Sequence, residues 1–328
     1  MSAETPAPIA AERLGVLAVA DRNGLDESLH LGAGVALDVD GSVIASVGDP
    51  AIDIYPRSSL KPFQAAAMVA NGLDLPDRLL ALAAASHMGE QRHLDGVVEI
   101  LTMHGLSVDD LRNTPSRPAG AASRAQARLA GTEPSSLQQN CSGKHAAMLA
   151  TCVVNGWSTA DYLEPAHPLQ LAIISELETL GAKVAHVGVD GCGAPTHVIG
   201  LDETARAMGR LARSGSSVTR AMSSFPLMVG GTDRDVSIWM DAVPGLAAKD
   251  GAQGVMVMAS AEGRSAAFKI ADGADSARQA VTAEAMRHLG VDVDGEHADV
   301  RDRLAVTVLG HGDVVGSIRA LPWTVARS

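Results

Sequence analysis

Gly34-Val35-Ala36-Leu37-Asp38-Val39-Asp40-Gly41-Ser42-Val43-Ile44-Ala45-Ser46-Val47 reads as two strands around the turn Asp40-Gly41. Asp-Gly tolerates the positive φ of a tight hairpin turn, so apolar runs on both sides of it predict an antiparallel pair. Outward from this hairpin, all of Leu14 to Gly48 reads as strand. Near the other end, Val255-Met256-Val257-Met258-Ala259 and Ala266-Ala267-Phe268-Lys269-Ile270 flank Glu262-Gly263 and predict a second hairpin. Between the two the period becomes helical. Ser58 to Asn71 stops at Asn71-Gly72, Leu79 to Ala85 is continuously apolar, and Leu94, Val97, Val98 and Leu101 repeat at helical spacing. Ser107 and Asp110 have capping-box spacing. Ser142–Val154, Pro168–Leu180, a stretch from Asp202 as cap to Ala212, and Ser276–Leu289 complete the helices, with Val184–Val189 as an inner strand.

Strands at both ends and helices between them predict an α/β (α+β) fold with one antiparallel sheet built from both termini. The expected organisation is a disordered stretch over 1–12 and a single compact unit over 13–328. The sheet layer covers about 13–57 and 246–328, and the helical layer about 58–245. Asn113 to Gln139, rich in Arg, Ala, Ser and Pro, is expected as a surface excursion or lid.

The chain has 328 residues, 46% hydrophobic and only 2% aromatic, so its core must be made of Ala, Val, Leu, Ile and Met. A net charge of −12 opposes a nucleic-acid partner, which demands clustered Lys and Arg. No apolar run approaches a membrane span, and Met1 to Gly15 lacks a signal-peptide core, so a cytoplasmic location is expected. Three cysteines do not make a disulfide framework; they point to thiols or metal ligands. The expected assembly is a homodimer.

The 26 basic residues include only five lysines: Lys61, Lys144, Lys183, Lys249 and Lys269. Arginine cannot give up its proton, so lysines that survive in such a chain are candidates for chemistry. In Arg57-Ser58-Ser59-Leu60-Lys61-Pro62 a loop enters a helix, and the i, i+3 spacing lets Ser58 meet Lys61. As a base Lys61 must be neutral near pH 7, which burial or a second cation provides. S-x-x-K alone is a common string. A long-range pair, Ser86 of Ser86-His87-Met88-Gly89-Glu90 with Lys249, can be assembled only by the fold. Asn140-Cys141-Ser142-Gly143-Lys144-His145 and Asp190-Gly191-Cys192-Gly193 offer two thiols for zinc; chemistry alone suggests His145 as a further ligand, or else Lys144 after loss of a proton. Cys152, in an apolar helix, is a buried hydrophobe. Gly310-His311-Gly312-Asp313-Val314-Val315-Gly316 matches a dinucleotide fingerprint, but no helix and second strand can follow it, and it reads as a turn.

Together Arg57-Ser58-x-x-Lys61-Pro62-x-Gln64, Ser86-His87-x-Gly89-Glu90, Asn140-Cys141-Ser142-Gly143-Lys144-His145, Asp190-Gly191-Cys192-Gly193-x-Pro195 and Lys249-x-Gly251-Ala252-x-Gly254 resemble the rhizobial-type (class 3) L-asparaginases, from about Val16 to Gly290. The resemblance implies a fold like that of serine β-lactamases and penicillin-binding proteins. It implies hydrolysis of the small molecule L-asparagine to L-aspartate and ammonia. Two Ser-Lys pairs go with it: Ser58 with Lys61, and Ser86 with Lys249, Lys269 being the second choice. It also implies zinc on Cys141, Lys144 and Cys192, with His145 behind the ligands, and Arg57 and Asp190 as groups that grip substrate charges. Met88 and Gln253 depart from the family pattern. The rival readings are a glutaminase or β-lactam hydrolase on the same scaffold and a non-catalytic zinc-binding or sensor module; the missing S-D-N and K-T-G strings weaken the β-lactam version.

Overall fold

The structure, a computed structural model, describes residues 9–326. Strands β1 (Gly15–Arg22), β2 (Leu25–Leu37), β3 (Val43–Val47) and β4 (Asp53–Ile54) come first. Helices α1 (Lys61–Ala70), α2 (Asp77–Ala83), α3 (Gln91–Met103), α4 (Ala121–Leu129), α5 (Ser142–Asn155) and α6 (Pro168–Thr179) follow. Then come β5 (His186–Val189), β6 (Pro195–Gly200), α7 (Leu201–Arg213), α8 (Ser217–Ser224), α9 (Pro226–Val229) and α10 (Asp235–Ala242). The chain ends through β7 (Ala247–Gly251), β8 (Val255–Ala259), β9 (Ser265–Ile270), α11 (Asp275–His288), α12 (Ala298–Arg303), β10 (Val306–Gly310), β11 (Asp313–Ala320) and β12 (Thr324–Val325).

Both ends do build one antiparallel sheet. Its order is β10-β11-β1-β2-β9-β8-β7, with β3 on β2 and β12 on β3, nine strands among the described residues. The inner half of β2 is buried between β3 and β9, where Gly34 faces Val47 on one side and Phe268 on the other. Its outer half is exposed and pairs with β1. The Asp40-Gly41 and Glu262-Gly263 hairpins form where expected, and Gly41 and Gly263 both have positive φ. The stretch from Gly310 to Gly316 is the β10–β11 hairpin.

Several expectations change. β4 leaves the main sheet and joins β6 and β5 in a small sheet of order β4-β6-β5. Lys249-Asp250-Gly251, not read as strand from its sequence, lies within the edge strand β7. The excursion from Asn113 to Gln139 contains the helix α4. Gly200 occupies the N-cap of α7, and Asp202 sits in its first turn. Residues 11 and 12 of the expected disordered terminus form a 3₁₀ turn together with Arg13, while residues 1–8 lie outside the described residues.

Sheet and helical layer share one continuous apolar core, in which small Ala side chains let elements approach closely. α2 is its hub. Leu79, Leu80, Ala81, Leu82 and Ala83 are all buried, so the helix is apolar all round, as a helix surrounded by others must be. Each buried Leu contributes about 1.5–3 kcal/mol. This rigid helix runs out at Ala85-Ser86, which delivers Ser86 into the interior between the layers. Among the described residues no helix is long and apolar enough to cross a membrane.

Candidate active site

The turn that carries Ser58 is a 3₁₀ turn over Arg57–Leu60 leading straight into α1, with Pro62 in the first helical turn where its missing N–H is harmless. It rests on β7. Ser59 is buried, and its hydroxyl donates to the carbonyl of Lys249 at 3.0 Å. Gly251 makes this contact possible: a Cβ there would lie 2.2 Å from the carbonyl oxygen of Pro56. Because that obstacle is backbone, Gly251→Ala is expected to push the turn off the strand and destabilise the fold by about 1–3 kcal/mol. Urea unfolding of the variant against wild type measures this, and an unchanged midpoint would show that the turn is not clamped there. Arg57 takes a left-handed φ of 55°, unusual for a bulky residue and a mark of a position held by its surroundings. The holder is Asp190: the Arg57 Nε donates to its Oδ1 at 2.7 Å, and the amide of Gly191 donates to the same oxygen at 2.8 Å.

Lys61 is 1% exposed. Its ammonium has three protons and finds three acceptors: the Ala85 carbonyl, Ser86 Oγ at 2.9 Å and Cys141 Sγ at 3.1 Å. The expected hydrogen bond to Ser58 is not made. Ser58 is half-buried, and its hydroxyl has no hydrogen-bond partner among the described residues. One partly solvated hydroxyl competes poorly with three buried acceptors at the end of α2 and the start of α5. The expected contact of Ser86 with Lys249 is also absent, because Lys61 takes that hydroxyl. The backbone N–H of Ser86 donates to the Val229 carbonyl at 3.0 Å, so it is not free to bind an oxyanion.

Lys249 is fully buried, and its Nζ donates to Asp250 Oδ1 at 2.6 Å and to the Asp250 carbonyl at 2.7 Å. Burial is the largest influence on it; Asp250 opposes, Lys61 and Arg234 assist, and the acidity is pushed to about 8. Lys269, the second choice for Ser86, donates instead to the carbonyls of Gln253 and Ile270.

Cys141 precedes α5, and Cys192 sits in the turn closed by the Gly193 N–H on the Asp190 carbonyl at 2.9 Å. Cys141, Cys192 and Ala194 form a small buried cluster of their own. A hydrogen bond from the Cys192 thiol, against the cost of burial and with help from Lys61 and Lys144, holds Cys141 well below the usual thiol range. The same bond and burial push Cys192 up. Lys144 Nζ donates to Cys192 Sγ at 3.2 Å. Burial disfavours the Lys144 charge, but Cys192, Cys141 and Asp190 outweigh it and hold its pKa above the ordinary lysine value. The Asp190 carboxyl is disfavoured by burial too, yet Lys144 and Arg57 keep it below the ordinary range.

Two sulfurs and an amine in one buried cluster fit a borderline cation as a donor set, provided Lys144 gives up its proton. Without the lysine the set is too small: among the described residues no group of three or more His, Cys, Asp or Glu is placed to hold a metal ion. His145 turns away, with Nδ1 2.8 Å from the Tyr162 hydroxyl. Burial, then Lys144 and Lys61, hold its ring well below the ordinary range and therefore neutral.

Two features were not read from the sequence. His87 accepts from the Gly89 amide at Nδ1, so its Nε2 carries the proton and donates to Ser142 Oγ at 2.9 Å. That bond ties the Ser86 loop to the start of α5. The other is the contact of Arg234 with the Asp250 carboxylate. Asp250 stood beside a motif lysine and could have been singled out; nothing in the sequence pointed to Arg234.

The site thus holds a serine bound to a buried lysine and, one turn before that lysine in the chain, a half-buried serine at a helix start. The model of the L-asparaginase II family matches residues 18–320, and the chain belongs to that family, which is a family of amidohydrolases. Among solved structures, that of Mglu in its Tris and glutamate form aligns over 92% of this chain at 16% identity and a TM-score of 0.32. This chain spans 65% of the length of that protein. No curated protein matches it.

Proposed function

We propose that the chain is an L-asparaginase with Ser58 as nucleophile. The observation that carries this reading is the bond of buried Lys61 to Ser86 Oγ at 2.9 Å, one turn beyond the half-open Ser58. Ser58 Oγ attacks the side-chain amide carbon of asparagine while its proton passes to Lys61 in its neutral form, whose free lone pair has to turn from its acceptors at Ala85, Ser86 and Cys141 towards the Ser58 hydroxyl. The C–N bond breaks, the nitrogen takes up a proton, and ammonia leaves. Water then hydrolyses the aspartyl ester and restores Ser58. Ser86 keeps Lys61 directed at the reacting centre. Lys249 is the second lysine of the mechanism: two of its protons go to Asp250, and it takes the proton of the attacking water when neutral. Arg57 and Asp190 meet the substrate's charged groups. We read the fold as a relative of the serine β-lactamases, because an S-x-x-K turn lies against the edge strand of a sheet built from both chain ends.

Zinc belongs to the same proposal, on Cys141, Lys144 and Cys192; bound there, it supplies positive charge that polarises or anchors substrate. Thiolates bind zinc far better than hydroxyls, so Cys141→Ser/Cys192→Ser is expected to lose about one zinc per chain. Elemental analysis of dialysed protein checks this, and equal zinc in variant and wild type would defeat these ligands. A cytoplasmic location, in keeping with three unpaired cysteines, and a homodimeric assembly complete the reading.

The direct test is ammonia release from L-asparagine and L-glutamine by the purified protein, with and without chelator. Turnover of asparagine in preference to glutamine is the expected result. Preference for glutamine would make the chain a glutaminase, and binding of zinc without any turnover would make it a non-catalytic module.

A further inference from the structure

Lys249 is not an isolated buried cation. Its Nζ is fixed by the Oδ1 and the carbonyl of Asp250, at 2.6 and 2.7 Å. The other carboxylate oxygen, Oδ2, is gripped by Arg234. Asp250 is 3% exposed, so this carboxylate answers to Lys249 and Arg234 far more than to water. The next residue, Asp235, pairs with Arg278 at 2.6 Å, and both of these side chains are 2% exposed. Charges therefore alternate from Lys249 to Arg278 through the interior.

The segment that carries Arg234 also seats the Ser86 loop. Ser86 N–H donates to the Val229 carbonyl at 3.0 Å and Met88 N–H to the Gly230 carbonyl at 2.8 Å. Glu90 accepts from the Thr232 amide at 2.7 Å. One stretch, 229–234, thus fixes both the backbone of Ser86 and the counterion of Lys249. It links the two residues that the fold leaves without a direct bond.

We propose that Asp250 and Arg234 are positioning residues for Lys249: Arg234 fixes the carboxylate of Asp250, and that carboxylate fixes the direction and the protonation of the Lys249 ammonium. The inference rests on the role given to Lys249 under the proposed function. The charged groups that face Lys249 are Asp250 on its own strand, Lys61 at the start of α1 and Arg234 ahead of α10, with the Asp235–Arg278 pair behind. The strand β8 and the buried face of α8 contribute no charge, and Arg57 on the neighbouring turn faces Asp190. Asp250 favours the charged lysine, while Arg234 and Lys61 disfavour it.

This arrangement makes the two substitutions act in opposite directions, which loss of structure alone does not. Turnover that depends on neutral Lys249 is expected to rise with pH through about 8 in wild type. In Asp250→Asn the stabilising anion is gone, and the midpoint of kcat against pH is expected to fall by roughly one unit. In Arg234→Gln a repelling cation is gone, and the midpoint is expected to rise. Midpoints that stay put, or move together, overturn the proposal. Lys249→Met separates it from the reading beneath: a variant with the wild-type profile removes Lys249 from the mechanism. An inactive Lys249→Met beside unshifted Asp250→Asn and Arg234→Gln overturns the positioning alone. A measurement on the wild-type protein guards against variants that fail to fold. With ¹³Cε-labelled lysine the spectrum has only five lysine signals to assign. A Lys249 signal titrating near 8 supports the proposal, and one still charged above pH 10 overturns it.

Discussion

Ser58→Ala is expected to lower asparagine turnover by about 10³-fold or more while leaving the fold intact. The Ser58 hydroxyl has no hydrogen-bond partner among the described residues and sits half-open to solvent, so its loss leaves no buried group unsatisfied. The stability change is therefore expected to stay within about 0.5 kcal/mol. Ser86→Ala makes the informative contrast. There Lys61 loses one of its three acceptors inside the protein, which costs about 1–3 kcal/mol as well as the proton path. Parallel kcat and thermal-unfolding measurements separate the two. An active Ser58→Ala beside a folded, inactive Ser86→Ala would transfer the nucleophile to Ser86.

That contrast also shows where reading the sequence stopped. Local periodicity and turn chemistry carried the hairpin at Asp40-Gly41, the helix ending at Asn71-Gly72, and α11, whose Ala277, Val281 and Ala285 all face the core. These signals depend on residues a few positions apart. β6 was missed because all six of its residues are buried and show no alternation. β7 was missed because Lys249 and Asp250 interrupt its apolar pattern; both are tolerated inside only because they satisfy each other and Arg234. α8 to α10 are short and carry too little periodicity.

The candidate site residues could be named from the sequence, through scarce lysine, paired glycines and the order of the motifs. Their partners were not. The i, i+3 spacing put Ser58 within reach of Lys61, but a lysine side chain is long enough to leave its own turn. Where its ammonium settles depends on which acceptors the fold buries nearby. Here these are the end of α2 and the start of α5, 24 and 80 positions further along the chain. Long-range electrostatics of this kind leave no local trace.

Lys61→Arg is expected to be as damaging as Lys61→Met, both removing nearly all turnover. An ammonium and a guanidinium carry the same charge, so a purely electrostatic role tolerates the first exchange. A base does not, since arginine keeps its proton at any working pH. Geometry adds to this: the three acceptors of Lys61 converge on a single nitrogen from the end of α2 and the start of α5, whereas a guanidinium spreads its donors over a planar fork. The added bulk in a site 1% exposed is expected to cost about 1–3 kcal/mol through overpacking. Stability and kcat must therefore be measured together, and activity compared only among molecules shown to be folded. Lys183→Arg, on an exposed residue outside every motif, serves as the control and is expected to change neither. A folded Lys61→Arg variant that keeps most of its turnover would make Lys61 an electrostatic partner of the serines, and the base would have to be sought at Lys249.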